Sequence, residues 1–104
     1  MSSAFTSGTW TVSPDRADAF VEAWKQFGAW ASQMPGAGRL VLTRDLNEAG
    51  RFVSFGAWAS EDAVRDWKHS PDFMDQIGQV LQHVDNFQPG ELGLVATAED
   101  GVTA

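Results

Sequence analysis

Apolar residues recur at every third or fourth position along residues 14–34, which is the period of an amphipathic helix with one buried face. The residues that carry this period are Phe20, Trp24, Phe27, Trp30 or Ala31, and Met34. Residues 13–15, Ser-Pro-Asp, supply an N-cap, a proline at the first helical position and an acid in the first turn. Since Pro35 and Gly36 end the pattern, we predict one helix over residues 14–34.

The hexapeptide FGAWAS occurs twice, at residues 27–32 and at residues 55–60. The first copy lies inside the predicted helix. The second copy belongs to residues 51–59, a short aromatic and β-branched run that follows a turn-like Asn-Glu-Ala-Gly segment, and this pattern is typical of a strand. Ser60 then caps a helix over residues 61–69. The same six residues are therefore expected once as helix and once as strand, and they indicate no structural repeat.

The remaining segments predict three more strands and one more helix. A second Ser-Pro-Asp sequence at residues 70–72 opens this helix. Its apolar stripe consists of Phe73, Ile77, Leu81 and Val84. The strands are expected at residues 5–13, 38–46 and 91–98, and the second of them pairs with the strand at 51–59 as a hairpin.

The predicted order of elements is β-α-β-β-α-β, the ferredoxin-like arrangement of an antiparallel sheet with helices on one face. The fold class is therefore α+β. We expect a single domain over residues 1–104, with a core of about residues 8–98 and a flexible polar tail at residues 99–104.

Both faces of the predicted sheet carry apolar residues. Val53, Phe55 and Ala57 point to one face, while Phe52 and Trp58 point to the other. Helices can cover only one of these faces, and a large open apolar face is rare in soluble monomers. We therefore predict a homodimer in which a second copy packs sheet to sheet.

Composition and charge narrow the classes of function. The chain has 104 residues, a formal net charge of −7, no cysteine and no tyrosine. Without cysteine there are no disulfides, thiolate nucleophiles or Cys-ligated metal sites. The acidic balance without a basic stripe argues against nucleic-acid binding. The N-terminal sequence has no basic segment and no long apolar stretch, so we expect a cytoplasmic protein with no signal peptide and no membrane association.

Few side chains offer acid–base chemistry. His69 and His83 are the only imidazoles. His69 is expected at a helix C-terminus, where a cation favours the helix dipole, and it stays a candidate base. His83 is expected to face solvent, and two separated histidines make no metal site. Arg44 either forms an ion pair with Asp45 or reaches the mouth of a cavity, where it would steady an enolate.

The chain resembles the antibiotic biosynthesis monooxygenase family. The similarity is strongest at residues 52–73, FVSFGAWASEDAVRDWKHSPDF, which match the family's strand, tryptophan, Ser-Glu and helix pattern. Residues 10–14, 20–24 and 34–36 add to it. The resemblance implies a dimeric α/β barrel. Each protomer would have a cavity between its sheet and its helices, closed in part by the partner.

Some members of that family oxygenate polyketide anthrones or quinols without metal or flavin, because the substrate's own anion passes an electron to dioxygen. The chain is similar to them at Trp58. Their pocket asparagine falls on Ser54, their tyrosine on Val64 and their arginine near Gly78. Only the tryptophan of that set is retained.

Other members bind and degrade haem. The chain is similar to them at Trp67, but their axial histidine falls on Ile77 and their strand-one asparagine on Gly8. Since isoleucine cannot ligate iron, the haem mechanism does not carry over intact.

The first hypothesis is therefore a cofactor-independent monooxygenase for flat aromatic or quinol-type substrates, with no cofactor and no metal. The alternatives are a non-catalytic ligand-binding or interaction protein of the same fold and, less favoured, a haem-binding or haem-degrading protein. Small residues beneath Trp58 would leave room for a flat ligand on its indole. The catalytic candidates are Trp58, Ser54 and His69. The expected ligand-binding residues are Trp58, Ser54, Gly56, Trp67, Trp10 and Phe52.

Overall fold

A computed structural model describes residues 2–98 and shows one sheet covered by helices. The strands are β1 (Ala4–Thr11), β2 (Ala37–Arg44), β3 (Arg51–Trp58) and β4 (Asn86–Gly93). The helices are α1 (Ala17–Ala31), α2 (Glu61–Lys68) and α3 (Phe73–Leu81), and a 3-10 turn at Pro14–Arg16 precedes α1. The strands pair antiparallel in the order β2-β3-β1-β4. The predicted ferredoxin-like α+β fold is confirmed, with α2 and α3 as its second helical segment. The predicted tail lies outside the described residues.

The two copies of FGAWAS adopt different structures, as predicted. In α1 the first copy buries Phe27 and Ala31, which are four residues apart and lie on one side of the helix. In β3 the second copy buries Gly56 and Trp58, which are two residues apart and lie on one face of the strand. The burial period of each element matches its geometry. Tertiary context therefore decides the conformation of this peptide.

The helices begin differently from one another. Ser60 caps α2, because its hydroxyl accepts a hydrogen bond from the backbone N–H of Ala63 at 3.1 Å. Ser13 occupies the N-cap position of the 3-10 turn that leads into α1, with Pro14 after it as predicted, but its side chain makes no capping bond and its hydroxyl instead donates to Asp85 Oδ2 at 2.7 Å. The predicted helices over 14–34 and through Val84 are also shorter, since α1 and α3 end in tight turns.

The predicted position of the last strand is wrong by about five residues. The sequence pattern placed it at 91–98, whereas β4 starts at Asn86 and pairs with β1 along its whole length. Pro89 obscured the strand, because proline lacks the N–H that a central strand needs. Since β4 lies at the edge of the sheet, this missing donor is tolerated.

Each central strand has one covered and one open face, as the sequence predicted. On the covered face, Phe52 and Trp58 are buried against the helices. On the open face, Phe55 of β3 and Leu92 of the edge strand β4 are 44% and 50% exposed. Phe5 and Val41 share this open face through their pairing with Ala57 and Phe55. The sheet therefore presents an apolar surface that its own helices leave open.

A polar contact joins the start of α1 to the loop before β4. Asp85 accepts a hydrogen bond from the Ser13 hydroxyl and forms an ion pair with Arg16. Both partners lower the pKa of Asp85 from its ordinary value of 3.8, and the hydrogen bond from the Ser13 hydroxyl has the larger effect. A lowered folded-state pKa means that the carboxylate stabilises the fold above pH 3.8, and that this stabilisation is lost as the pH falls through the lowered pKa.

We predict that Asp85→Asn lowers the free energy of unfolding at pH 7, because the ionised partner of Arg16 is lost. The difference between wild type and variant should stay constant down to about pH 5 and shrink at lower pH. Urea denaturation at several pH values measures it. Asp15→Asn, at an exposed acid of the same turn, is the control. A difference that grows as the pH falls would contradict the prediction.

Candidate functional site

The covered face of the two central strands carries only small residues at its middle. Thr6 and Gly8 of β1 lie directly opposite Gly56 and Ser54 of β3. Large aromatic residues flank this block at its two ends: Trp10 pairs with Phe52, and Trp58 pairs with Ala4. The middle of the sheet therefore forms a floor with no large side chain between the aromatic ends.

The floor arises from a short sequence pattern that occurs once on each central strand. Residues 6–10 read TSGTW and residues 54–58 read SFGAW, so both follow Ser/Thr-x-Gly-x-Trp. Because the strands are antiparallel, the two copies are related by a local two-fold axis through the floor. This pattern was not among the features predicted from the sequence, although a direct comparison of residues 6–10 with residues 54–58 reveals it.

Each tryptophan of the pattern donates a hydrogen bond to the hydroxyl of the other copy. Trp10 Nε1 donates to Ser54 Oγ at 3.0 Å, and Trp58 Nε1 donates to Thr6 Oγ1 at 3.2 Å. An indole nitrogen can only donate, so both hydroxyl oxygens are acceptors here. The two bonds lock both indoles over the ends of the floor.

The glycines allow these indoles to lie close to the sheet. A Cβ at Gly8 would lie 2.9 Å from Trp10 Nε1 and 2.8 Å from Ser54 Oγ. A Cβ at Gly56 would lie 2.7 Å from Thr6 Oγ1 and 3.1 Å from Trp58 Nε1. Any side chain at either position would displace a hydroxyl and its indole partner.

A cavity of about 250 Å³ lies above the floor, between the sheet and the helices. Trp24 and Phe27 of α1 line one side, and Phe73 and Ile77 of α3 line another. Almost all of the lining is apolar. The polar groups that reach it come mainly from the floor hydroxyls and from α2. The space therefore suits a flat apolar molecule with few polar atoms.

Trp67 of α2 forms a rigid wall of this cavity. Its ring stacks on Trp58, with centroids 4.6 Å apart, and meets the edge of Phe73 at 5.1 Å. Phe27 packs against it at 5.8 Å. The Trp67 indole N–H is buried and finds no hydrogen-bond acceptor within residues 2–98. Since buried donors are usually paired, this N–H is a polar group that a ligand would satisfy.

Four of the six predicted ligand-binding residues line the cavity: Trp10, Ser54, Gly56 and Trp67. The other two lie in the core behind it. Trp58 is fully buried, because one indole face is covered by Trp67 and its N–H is bound by Thr6. Phe52 packs on Phe20 with centroids 5.0 Å apart. Thr6 and Gly8 also line the cavity and were not among the ligand contacts predicted from the sequence.

Ionisable groups are scarce around the cavity. His69 is exposed at the C-terminal end of α2 and His83 lies beyond α3; neither belongs to the lining. In the part of the chain that the structure describes, Lys68 is the one ionisable lining residue. Its ammonium donates to Glu91 at 2.8 Å, and this bond lowers the pKa of Glu91. No imidazole or carboxylate of the described residues therefore stands ready as a base inside the cavity.

Arg44 neither pairs with Asp45 nor reaches the cavity mouth, so both of its predicted placements are wrong. Asp45 pairs with Arg51 at 2.7 Å, not with Arg44. The Arg44 guanidinium lies over the Phe52 ring, 5.9 Å from its centroid. This is a cation–π contact at the edge of the sheet, and Arg44 does not line the cavity.

Within residues 2–98, no cluster of three or more histidine, aspartate or glutamate side chains is placed to hold a metal ion. No helix in the same range combines the length and the apolar character needed to cross a membrane.

The fold and the cavity define a class: a ferredoxin-like α+β domain with an aromatic-walled chamber between its sheet and its helices. The family model for antibiotic biosynthesis monooxygenases matches residues 5–78, which is more than half of the chain. The chain belongs to this family. None of the curated proteins has a sequence significantly similar to it.

Solved structures with the same fold have low sequence identity. SnoaB from Streptomyces nogalater, a cofactor-independent oxygenase, is 20% identical with a TM-score of 0.80, over 93% of this chain and 97% of that one. A Caulobacter crescentus protein is 21% identical with a TM-score of 0.80, over 91% and 92% of the two chains. A conserved protein from Methanosarcina mazei is 13% identical with a TM-score of 0.79, over 89% and 93%. These likenesses support the fold.

We predict that Gly56→Ala destabilises the protein by about 1–3 kcal/mol, because the new methyl group forces Thr6 and the Trp58 indole apart. Urea denaturation measures the change. Gly78→Ala is the matched control: its Cβ would meet no atom within 4 Å. This control should stabilise α3 by about 0.5–1 kcal/mol, the usual gain for alanine over glycine in a helix. Equal effects of the two substitutions would contradict the assigned packing.

Proposed function

We propose that the cavity binds a flat, apolar small molecule that carries oxygen, and that the protein oxygenates it with dioxygen and no cofactor. The observation that carries the proposal is the chamber over the small-residue floor, with rigid aromatic walls and a few hydrogen-bond donors. Membership of the monooxygenase family and a fold shared with a cofactor-independent oxygenase support the chemistry.

The residues around the cavity suit binding and orientation better than proton transfer. A substrate such as an anthrone has an acidic CH2 group across the ring from its carbonyl, and it forms its own anion by releasing a proton to solvent. That anion gives an electron to dioxygen, and the two radicals combine into a peroxide on the same carbon, which takes up a proton. Cleavage of the O–O bond with loss of the second hydrogen of this carbon leaves one oxygen atom as a carbonyl and releases the other as water. Hydrogen bonds from Ser54 and Thr6 would stabilise the oxyanion in this low-dielectric space. Trp67 would provide the stacking wall, and Trp58 would support it from behind.

The candidate catalytic residues have different places in this scheme. Ser54 touches the cavity and has the role of orienting the substrate oxygen. Trp58 acts through Trp67, on which it stacks. His69 is exposed and lies outside the cavity lining. Its role would therefore be limited to accepting, from solvent, the proton that the substrate releases when it ionises.

A second candidate function is non-catalytic ligand binding in the same cavity. The observation in its favour is that Lys68, the ionisable lining residue among residues 2–98, is engaged by Glu91. A haem function has less support. Ile77 lines the cavity at the position where, by the resemblance, the haem-degrading members have their axial histidine, and isoleucine cannot ligate iron.

We further propose that the open apolar face of the sheet is covered by a second copy of the chain. Phe55 and Leu92 are half exposed there, and Phe5 and Val41 extend the surface across all four strands. The hydrophobic effect would stabilise a dimer in which this surface is buried against the same surface of a second copy.

For the oxygenase function, we predict anthrone-dependent dioxygen uptake without added metal or flavin, and with EDTA present. Trp67→Phe should lower the rate roughly tenfold, because the ring remains but the indole N–H is lost. An oxygen electrode measures the uptake. Trp30→Phe, at a tryptophan that packs on Phe27 without lining the cavity, is the control. A rate that no anthrone or hydroquinone raises above background would refute oxygenation and leave ligand binding as the function.

For the dimer, we predict that sedimentation at micromolar concentration gives twice the mass of one chain. Phe55→Glu should yield single chains, because it places a charge in the centre of the apolar face. Leu46→Glu is the matched control, since Leu46 is 93% exposed in the β2–β3 loop and lies off that face. A wild-type particle of one chain at this concentration would disprove the proposed interface.

A further inference from the structure

We propose that Lys68 binds a carboxylate group of the ligand, and that this carboxylate takes the place of Glu91 beside the lysine ammonium. The inference rests on the proposed binding of a flat apolar molecule in the cavity, and it narrows the ligand class to aromatic acids. Within residues 2–98, the lining holds a single charged side chain, Lys68, and the carboxylate paired with it lies outside the lining.

The cavity opens to solvent between α3 and the edge strand β4. Met74 and Leu81 of α3 and Pro89 of β4 all line the cavity and are all exposed. Pro89 and Glu91 pair with residues of β1 that are two positions apart, so both lie on the face of β4 that the helices cover. Glu91 therefore stands beside this mouth.

Lys68 reaches the mouth from the last turn of α2. Its ammonium donates to Glu91 Oε2 at 2.8 Å and makes no other hydrogen bond within residues 2–98. Since an ammonium has three N–H groups, two of them have no acceptor in the described chain. The side chain is only 25% exposed, as expected for a lysine that buries its apolar stem and keeps its charge near water. A ligand in the cavity would thus meet a cation at the mouth.

Glu91 is a partner that a ligand can displace. Its side chain is 60% exposed, so the carboxylate returns to water when the bond breaks, and ion pairs at such exposure contribute little stability. The pKa of Glu91 is lowered mainly by the hydrogen bond from Lys68 and least by the charge of Arg65. Arg65 would stay near the released carboxylate. Exchange of Glu91 for a ligand carboxylate also keeps the charge of Lys68 compensated.

The cavity and its cation together select an anion with a flat apolar body. The ring system would pack on aromatic walls such as Trp67 and Phe73. A carboxylate at the end of the ligand that faces the mouth would add a charge-assisted hydrogen bond to Lys68, at the border of a low-dielectric space. A neutral ligand would leave Lys68 with Glu91, and a cationic ligand would be repelled by the ammonium.

The same ion pair also joins α2 to β4, and this simpler role makes a different prediction. If the pair only holds the two elements together, loss of either partner changes the binding of charged and neutral ligands alike. If Glu91 competes with the ligand, loss of Glu91 strengthens the binding of a carboxylate, whereas loss of Lys68 weakens it. A neutral ligand of the same shape then responds to neither change.

The test compares 2-naphthoate with 2-acetylnaphthalene, which has the same two rings and carries a methyl ketone in place of the carboxylate. Isothermal titration calorimetry on the full chain at pH 7 measures both dissociation constants. We expect 2-naphthoate to bind roughly tenfold more tightly, which is the effect of one charge-assisted hydrogen bond less the small loss of the surface ion pair.

Two variants and a control separate the roles of the ion pair. Lys68→Met should abolish the roughly tenfold preference for 2-naphthoate. Glu91→Gln should strengthen 2-naphthoate binding about threefold, because the competing carboxylate is gone. Both variants should leave the binding of 2-acetylnaphthalene unchanged. Lys25→Met is the matched control, since it removes the same charge from an exposed lysine that pairs with Glu22 outside this cavity.

The outcomes are distinguishable. Equal binding of the two compounds by the wild type, or a preference for 2-naphthoate that persists in Lys68→Met, would overturn the carboxylate site and leave the proposed cavity function standing. Unchanged or weaker 2-naphthoate binding in Glu91→Gln would overturn the exchange with Glu91. Should a variant fail to fold, the two wild-type constants still decide whether the carboxylate is preferred. If neither compound binds to the wild type, the ligand-binding cavity itself is refuted and the carboxylate site with it.

Discussion

The four small residues at the centre of the sheet are the constraint on which the rest of the structure depends. Because Thr6, Gly8, Ser54 and Gly56 project so little, the helices rest on the aromatic ends of the floor and not on its middle. The crossed indole–hydroxyl bonds hold those ends in place. Protein interiors are normally close-packed and leave no cavity of this size. The cavity exists because these four positions carry no large side chain.

The aromatic residues around the cavity both stabilise the core and form the walls of the proposed ligand site. Trp10 stacks on Phe87 with centroids 3.9 Å apart at one end, and Trp58 stacks on Trp67 at the other. These stacks bury large rings and fix the walls of the cavity in one arrangement. Rigid walls suit a ligand whose own shape is rigid and flat. This shared role applies to Trp10, Trp58 and Trp67, three of the five tryptophans in the chain.

The chemistry of the site depends on what the polar groups can do without a base. Within the described residues the cavity offers hydroxyl and indole donors, and its one ammonium is held by Glu91. Such a site lowers the energy of a negative charge on a ligand oxygen but does not itself remove a proton. The substrate must then supply the acidity. A site that stabilises an oxyanion but contains no base is consistent with oxygenation through a substrate anion. It is equally consistent with simple binding of a carbonyl compound.

Local patterns in the sequence determined the fold class, the dual conformation of FGAWAS and the two apolar faces of the sheet, since periodicity and caps act within a few residues. Pro89 hid most of β4, because only the sheet order reveals that this strand lies at an edge. Of the candidate site, Trp10, Ser54, Gly56 and Trp67 were predictable as cavity residues. The burial of Trp58 and the pairing of Thr6 with its indole were not, since these two residues are 52 positions apart in the sequence and meet only through the register of β1 and β3. Residue types could therefore be read from the chain alone, but which of them meet was decided by the tertiary structure, because hydrogen bonds and stacking act over a few ångströms in space.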